Sequence, residues 1–265
     1  MNNYNKYINI NKKFLKQGYC IFNITNYNSL RYISNEIYKL SKIYFNNKRL
    51  KIPNKKIFFN NTHSYLPVKD LNDFRIFVYN NLNKIKNFRE KYFLLGKEYL
   101  DEICGNELCM QNKINLSIQM PKDDSSLLPI HSDVWSGDSP FEVVLWIPLV
   151  NCFRTKSMFI LSPEANKFYY NNIKRFNTSD KIFSHAKINK RIKWLNIKFG
   201  QGLIFTQNIL HGNTVNYEKS SRWSFNCRFK SIFSPFKDKK IGEFFSPISL
   251  KPASIFGLNY EEPNI

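Results

Sequence analysis

Hydrophobic positions in the first hundred residues recur mostly at helical spacing, after one short strand. Residues 19–24 form an apolar run typical of a strand. A helix is then predicted from Asn28 or Ser29, because apolar residues follow three or four positions apart at Leu30, Ile33, Ile37 and Leu40. The beginning of the chain therefore combines a strand with a long amphipathic helix.

The next two segments differ in polarity. Residues 46–70 are polar and are interrupted by Pro53 and Pro67, which predicts a connection. Residues 70–104 lack proline and repeat apolar residues at three and four, so we expect one interrupted helix or two there.

After Gly105 the pattern changes to alternating or continuous apolar runs separated by turn residues. The strand-like segments are NKINLSIQMP, PIHSDV, FEVVLWIPLV, KSMFIL, IKWLNIKF, GLIFTQ and RWSFNCRFKSIF. One helical insertion, SPEANKFYYNNIKRF, interrupts the series. Many short strands with regular turns predict a mainly β protein with flanking helices, built as a sandwich or barrel.

No repeat or linker marks a second domain, so we expect one domain over residues 1–265. Within it, residues 1–104 form a helical part whose helices buttress one sheet. Residues 105–235 form the β core, and residues 236–265 are a C-terminal extension.

Composition restricts the class of protein. The apolar fraction of 43% and the aromatic fraction of 16% are sufficient for a packed core, which excludes a disordered chain. No run approaches the roughly 18 to 20 apolar residues of a membrane helix, and the first residues lack the apolar segment of a signal peptide. We therefore expect a cytoplasmic protein without a membrane span.

The five cysteines are odd in number and scattered, with no C-x-x-C pair. This distribution argues against a disulfide framework and against a zinc-ribbon site. We expect reduced thiols, several of them buried, at Cys20, Cys104, Cys109, Cys152 and Cys227.

The net charge of +20 raises the possibility of a polyanionic partner. Lysine, however, is abundant together with asparagine, isoleucine, tyrosine and phenylalanine, as an A+T-rich coding bias would produce. No basic block typical of a nucleic-acid-binding arm is present. We expect no nucleic-acid partner, and an anionic small substrate or a charged partner stays open as an alternative.

Candidate chemistry begins with His131 and Asp133, two residues apart before the most apolar strand-like run. Side chains at i and i+2 of an extended segment point to the same face. His211 is the candidate third member, 211 − 133 = 78 residues after Asp133 at the far end of a predicted strand. Two neutral imidazoles and one carboxylate suit the open iron site of non-haem Fe(II) oxygenases. The alternative is that both histidines are ordinary core or loop residues; His63 and His185, in polar connections, are expected to be surface residues.

An arginine follows at the start of the last alternating strand. Arg222 comes 222 − 211 = 11 residues after His211 and shares a strand face with Ser224, Asn226 and Arg228. A guanidinium one strand beyond a metal ligand can hold a carboxylate bidentately while the other end of that molecule chelates the metal. That arrangement is what 2-oxoglutarate requires.

Together these residues resemble the Fe(II)/2-oxoglutarate-dependent dioxygenases of the phytanoyl-CoA-hydroxylase-like superfamily. The segments LPIHSDVWSGDSPFEVVLWIPLV, KSMFILSP and RWSFNCRFKSIFSP are similar to the 2-oxoglutarate-Fe(II) oxygenases found sporadically in bacterial carbohydrate-biosynthesis gene clusters. The resemblance covers residues 105–235 and extends more weakly to the N-terminal strand and helix. It implies a double-stranded β-helix, or jelly-roll, core.

The resemblance also implies cofactors and site residues. Fe(II) would be held by His131, Asp133 and His211 as catalytic and metal-binding residues, with 2-oxoglutarate as cosubstrate and dioxygen at the remaining position. Arg222 would bind the distal carboxylate of 2-oxoglutarate.

Other polar and aromatic residues are weaker candidates. Asn115 and Gln119 share one strand face with Ser117 and are candidates for cofactor binding. The alternative is that this face is simply an exposed polar surface of the strand. Trp135, Asn226 and Arg228 are candidates for substrate binding; Trp135 would otherwise simply pack, and Arg228 would be solvated or ion-paired.

The function implied by the resemblance is oxidation of a C–H bond in a small molecule. The expected substrate is a sugar or sugar-derived intermediate of bacterial polysaccharide biosynthesis, possibly anionic. The alternative is a non-catalytic jelly roll that binds sugar or metal, since a fold does not determine a function. Such a binder would not need Arg222.

Overall fold

The computed structural model describes residues 2–263, with side chains from residue 9 onward. The helices are α1 (Asn2–Gln17), α2 (Tyr27–Asn47), α3 (Lys55–Asn60), α4 (Leu71–Leu82), α5 (Phe88–Phe93), α6 (Lys97–Cys104), α7 (Pro163–Asn171), α8 (Ser179–Ile188) and α9 (Pro252–Leu258). The strands are β1 (Tyr19–Asn23), β2 (Leu108–Gln111), β3 (Asn115–Gln119), β4 (Val143–Pro148), β5 (Phe159–Leu161), β6 (Ile192–Trp194), β7 (Gln201–Thr206), β8 (His211–Gly212), β9 (Arg222–Ser231) and β10 (Phe245–Ser249).

The amphipathic segment after the first strand forms α2, as its pattern predicted. The side chain of Asn26 accepts a hydrogen bond from the Ser29 N–H at 3.0 Å and caps the first turn. Leu30, Ile33 and Ile37 are buried along one face of the helix.

The helical content is higher than the sequence pattern predicted. Helices account for 40% of the chain and strands for 22%, so the fold combines helices with antiparallel sheet and has more helix than the expected mainly β protein. The predicted connection over residues 46–70 contains α3, and residues 70–104 form three helices rather than one or two. α4 ends at Leu82, and the carboxamide of the next residue, Asn83, binds the backbone of both Tyr79 and Ile114. These hydrogen bonds from a side chain to the backbone compete with the backbone hydrogen bonds that would continue the helix.

All strand pairs are antiparallel and form two sheets. The large sheet has the order β1-β7-β4-β9-β2-β10, with β3 also paired to β9. The small sheet has the order β6-β5-β8. The predicted C-terminal extension supplies β10, which pairs with β2 at an edge of the large sheet.

Helices cover one face of the large sheet. Trp223 on β9 is fully buried against Phe58, Phe59 and Phe74, and its indole N–H donates to Thr62 Oγ1 at 2.8 Å. Since neighbouring side chains on a strand alternate between faces, Arg222, Ser224, Asn226 and Arg228 point away from these helices. This alternation places the polar face of β9 toward the space between the sheets.

The small sheet is covered by α7 and α8, of which α8 was not predicted. Ile182 and Ala186 of α8 are buried with Phe159 in a second hydrophobic cluster. His185, expected in a polar surface connection, lies on α8 instead: it contacts Phe168 and Phe176, and the Tyr169 hydroxyl lies 2.9 Å from its Nδ1.

Two further expectations concern cysteines and membranes. All five cysteines are free thiols, and four of them are buried, as predicted. Among the helices of the described residues, none is long and apolar enough to cross a membrane.

Candidate functional site

A cavity of about 200 Å³ lies between the two sheets and contains the predicted metal ligands. His131, Asp133 and His211 line one part of it. The polar side chains of β3 and β9 line another part, at Asn115, Ser117, Arg222, Ser224, Asn226 and Arg228. The apolar wall consists of Val144, Trp146, Met158 and Phe205. The predicted triad and the predicted arginine therefore share one cavity.

The three candidate ligands converge. One ligand atom from each of His131, Asp133 and His211 lies within 4.8 Å of the other two. His131 Nε2 is 3.4 Å from Asp133 Oδ1, and His211 Nε2 is 3.9 Å from Asp133 Oδ2. Among the described residues, no other group of three histidine, cysteine, aspartate or glutamate side chains converges in this way.

Backbone pairing brings the two histidines together. His131 and His211 form an isolated antiparallel bridge, and their imidazole centroids are 4.4 Å apart. Ser132, between the two motif residues, is extended, and its hydroxyl donates to the Gln207 carbonyl at 2.8 Å. An extended residue between them turns His131 and Asp133 to the same side, as the spacing predicted.

The strand predicted around the H-x-D motif does not form: His131 makes only an isolated bridge, and Asp133 begins a 3₁₀ turn over Asp133–Ser136. Gly137 ends this turn with φ of 84°, a left-handed conformation that favours glycine. A Cβ at this position would also collide with the Asp238 side chain. The turn changes the direction of the chain immediately after Asp133.

Hydrogen bonds select the same tautomer in both histidines. His131 Nδ1 lies 2.7 Å from the Pro129 carbonyl, and His211 Nδ1 lies 3.0 Å from the Ile209 carbonyl. A carbonyl oxygen only accepts, so each Nδ1 carries the proton and each neutral ring presents a lone pair at Nε2. Both Nε2 atoms face Asp133, which is the protonation pattern that a metal site requires.

The pKa values of the triad follow from its burial and its neighbours. Burial lowers the pKa of His211 to about 4, so this imidazole is neutral near neutral pH. Burial opposes protonation of His131 as well, but the protonated ring can donate to both Asp133 and the Pro129 carbonyl, and this outweighs burial and raises its pKa. Burial alone would raise the pKa of Asp133, yet the protonated form of His131 and the neighbouring His211 and Arg228 lower it well below its usual range. Asp133 is therefore an anion.

Arg222 is a buried cation at a different wall of the cavity. It is 3% exposed, and its Nη2 donates to Ser117 Oγ at 3.2 Å. Its Nε and the hydroxyl of Ser224 are buried without a hydrogen-bond partner. Among the described residues, no carboxylate lies within ion-pair distance of Arg222, and burial lowers the pKa of its guanidinium. A buried charge with unsatisfied donors favours an anionic ligand at this position.

Arg228 does not lie free in the cavity. Its Nη2 is 3.4 Å from Asp133 Oδ1, and its Nε is 3.0 Å from Asp138 Oδ1. Gln207 and Gln111 accept further hydrogen bonds from the same guanidinium at 3.3 and 3.5 Å. The alternative of an ion-paired arginine therefore describes its contacts better than a free substrate-binding side chain.

Only some of the remaining candidate residues line the cavity. Asn115 and Asn226 line the cavity and are joined by a 2.9 Å hydrogen bond. Gln119 is fully buried but lies outside the cavity lining, because its amide donates to the Thr214 carbonyl at 2.6 Å. Trp135 also lies outside the lining; it is 44% exposed and contacts Tyr170 edge-on.

Sequence reasoning missed a cluster of buried polar side chains beside Arg228. Asp138, Glu142 and Gln207 are all buried, and Gln207 donates to Glu142 at 2.5 Å. Burial raises the pKa of Glu142 to about 7. These residues lie in turns or at strand ends without a recognisable motif, so only the tertiary structure reveals them.

No model of a known protein family matches the sequence, and no curated protein is similar to it in sequence. Solved structures do match. AviO1 from Streptomyces viridochromogenes Tue57 is 11% identical with a TM-score of 0.54, over 87% of this chain and 97% of that chain. EvdMO1 is 14% identical with a TM-score of 0.55, over 86% of this chain and 50% of that chain. Apo ThoJ, described as a non-heme monooxygenase, is 13% identical with a TM-score of 0.50, over 85% and 79% of the two chains. At these identities the similarity shows a shared fold.

Proposed function

We propose that this protein is an Fe(II)- and 2-oxoglutarate-dependent oxygenase. The observation that carries the proposal is the content of one small cavity. Two imidazole Nε2 atoms face a carboxylate within 4.8 Å, and the same cavity holds a buried guanidinium for which the described residues offer no carboxylate.

The donor set fits a ferrous ion. Metal–ligand bonds of about 2 Å require ligand atoms only a few ångströms apart, and the observed separations satisfy that requirement with small side-chain movements. Two neutral imidazoles and one carboxylate leave positions open for a cosubstrate and dioxygen. Fe(II) would be held by His131, Asp133 and His211.

The unsatisfied donors fit a carboxylate of 2-oxoglutarate. Arg222 Nε and Ser224 Oγ have no partner among the described residues, and Ser117 already contacts the same guanidinium. A carboxylate accepts two or more hydrogen bonds, so it would satisfy these donors and neutralise the buried charge. When bound, iron and 2-oxoglutarate would supply the oxidation of one C–H bond of the substrate, with dioxygen as the oxidant and with succinate and carbon dioxide formed from 2-oxoglutarate.

The other residues of the cavity would orient ligands and exclude water. The apolar wall of Val144, Trp146, Met158 and Phe205 keeps bulk solvent from the iron position. Asn115 and Asn226, which bond to each other, would bind polar groups of the cosubstrate or of a substrate. Gln119 and Trp135 are not proposed to contact a ligand, because neither lines the cavity.

We further propose that the two sheets are the halves of a double-stranded β-helix. The chain passes from β4 in the large sheet to β5 and β6 in the small one, then to β7, β8 and β9 in alternation. A chain that crosses repeatedly between two antiparallel sheets is typical of the double-sheet jelly roll.

For the substrate we propose a sugar or sugar-derived intermediate carrying an anionic group. The resemblance to carbohydrate-cluster oxygenases and the net charge of +20 support it. A non-catalytic binder of sugar or metal is disfavoured, because such a protein has no need of the buried, unpaired Arg222.

The test is turnover with the Fe(II)-loaded protein and 2-oxoglutarate. Panels of nucleotide sugars, acyl thioesters and amino acids are added separately, and succinate release and substrate mass are measured. Succinate formation that requires Fe(II) and is lost in His211→Ala is the expected result. Turnover confined to acyl thioesters or amino acids would contradict the carbohydrate assignment alone.

Metal and cosubstrate binding provide the decisive control. Binding of 2-oxoglutarate to the Fe(II)-loaded protein under anaerobic conditions is followed by the charge-transfer absorption band of the chelate. Failure to form this chelate would overturn the oxygenase proposal.

A further inference from the structure

We propose that Arg228 and Asp138 are positioning residues for Asp133, the carboxylate of the proposed metal triad. This inference rests on the proposed function, because it concerns how one metal ligand is held. It differs from the sequence expectation, in which Arg228 binds substrate.

The contacts of Arg228 leave little capacity for a substrate. Nη2 contacts Asp133, Nε contacts Asp138 and Gln207, and Nη1 contacts Gln111. Each of the three guanidinium nitrogens thus already has a partner within the protein. Arg222, in contrast, has an unpartnered Nε in the same cavity. Arg222 and Arg228, on one face of β9, therefore have different roles: Arg222 is available to a ligand, and Arg228 binds groups of the protein.

The guanidinium restricts the orientation of Asp133. Asp133 Oδ1 lies 3.4 Å from both His131 Nε2 and Arg228 Nη2, whereas Oδ2 lies on the side of His211. A carboxylate held at one oxygen by a charged donor has less rotational freedom about its terminal bond. Hydrogen bonds to a ligating carboxylate of this kind commonly set its orientation and its affinity for metal.

Asp138 prevents Arg228 from neutralising Asp133. Asp138 is fully buried, and Lys239 Nζ lies 2.6 Å from both of its carboxylate oxygens. A lone guanidinium beside Asp133 would compete with a metal cation for the same negative charge. Asp138 Oδ1 lies 3.0 Å from Nε of Arg228 and balances part of the guanidinium's positive charge. The contact therefore weakens the competition between Arg228 and a metal cation for Asp133, and it also fixes the side chain of Arg228.

The test measures metal affinity in place of turnover. Mn(II) is titrated into the full-length protein, and free Mn(II) is followed by electron paramagnetic resonance in the wild type, Arg228→Met, Arg228→Lys and Asp138→Asn. We expect Arg228→Met to weaken Mn(II) binding by about 10- to 100-fold, with partial rescue in Arg228→Lys. Lys237→Met is the matched control, because Lys237 donates to the Val134 carbonyl next to Asp133, and no carboxylate of the described residues lies within ion-pair distance of it.

A double-mutant cycle distinguishes positioning from general destabilisation. If Asp138 acts through Arg228, Arg228→Met/Asp138→Asn binds Mn(II) no more weakly than Arg228→Met alone. Additive losses, or unchanged affinity in the folded single variants, would overturn the inference. If Arg228→Met does not fold, Arg228→Lys and Asp138→Asn decide the question in the same way.

A separate variant tests the proposed metal site itself. His211→Ala must abolish Mn(II) binding, since it removes a ligand outright. Retained binding in His211→Ala would refute the triad itself. Loss in His211→Ala together with normal binding in the Arg228 and Asp138 variants would refute only the positioning role.

Discussion

His131 and His211 face each other in an antiparallel bridge, in which each backbone N–H donates to the carbonyl of the other at 2.9 Å. Each imidazole also lies within hydrogen-bond distance of the carbonyl two residues before it. Backbone groups thus set both the distance between the rings and their tautomers. Two candidate ligands from segments far apart in sequence are oriented before any metal binds, which reduces the conformational cost of binding.

The first prediction concerns the pH dependence of metal binding. The pKa of His131 is raised by Asp133 and the Pro129 carbonyl despite burial, whereas burial lowers the pKa of His211 to about 4. As pH falls through the raised pKa of His131, a metal must displace one proton from this ring. We expect Mn(II) affinity to fall about tenfold per pH unit below that pKa, with one proton released.

Titrations in buffers of different ionisation enthalpy, from about pH 5.5 to about pH 8, measure this proton. Affinity independent of pH over that range would contradict the prediction. Release of two protons would show that His211 also titrates, contrary to its lowered pKa.

The second prediction concerns Arg222. Arg222→Lys keeps a positive charge but loses the planar pair of donors, so we expect 2-oxoglutarate affinity to fall about tenfold or more. Mn(II) affinity should stay unchanged, because Arg222 does not contact the triad. Isothermal titration of 2-oxoglutarate into the Mn(II)-loaded protein measures the first affinity, and titration of Mn(II) into the metal-free protein measures the second. Arg31→Lys, outside the cavity, is the control. Wild-type cosubstrate affinity in a folded Arg222→Ala variant would rule out the assigned role.

The third prediction concerns Glu142 and stability. Burial raises the pKa of this carboxyl from 4.5 to about 7 in the folded protein. A raised acid pKa means that folding favours the protonated form, so this stability is present below pH 4.5 and is lost as pH rises through about 7. Relative to wild type, we expect Glu142→Gln to gain about 3 kcal/mol in the free energy of unfolding over that interval.

Urea denaturation at several pH values measures this difference. Glu261→Gln, at an exposed position near the chain end, controls for general charge effects. A constant free-energy difference between wild type and Glu142→Gln across the pH range would refute the prediction.

The fourth prediction concerns the packing of helices on the large sheet. Trp223 is fully buried against Phe58, Phe59 and Phe74 and donates to Thr62. We expect Trp223→Ala to lower the free energy of unfolding by about 3–5 kcal/mol, because it leaves a large cavity. Trp223→Phe should cost less, since it keeps most of the aromatic contact. A loss below about 1 kcal/mol in Trp223→Ala, measured by urea denaturation, would show that this contact is not a central part of the core.

Local pattern predicted the elements whose burial is regular. Apolar spacing located α2, and the apolar runs of the second half located β4, β7 and β9. It failed where a single side chain interrupts a helix, as Asn83 does through its bonds to Tyr79 and Ile114. It also missed α8, whose helical stability depends on burying Ile182 and Ala186 against another part of the chain.

For the site, the sequence alone determined which side chains share a face. Strand alternation placed Arg222 and Arg228 together, and the H-x-D spacing directed His131 and Asp133 to one side of an extended residue, because both depend only on neighbouring backbone angles. Tertiary structure alone decided what each side chain meets. Pairing across 78 residues brought His211 to Asp133, and packing surrounded Arg228 with Asp133 and Asp138. It left Arg222 buried, with no carboxylate partner in the part of the chain that the structure describes. Those contacts arise from long-range packing, which the local periodicity of a strand does not predict.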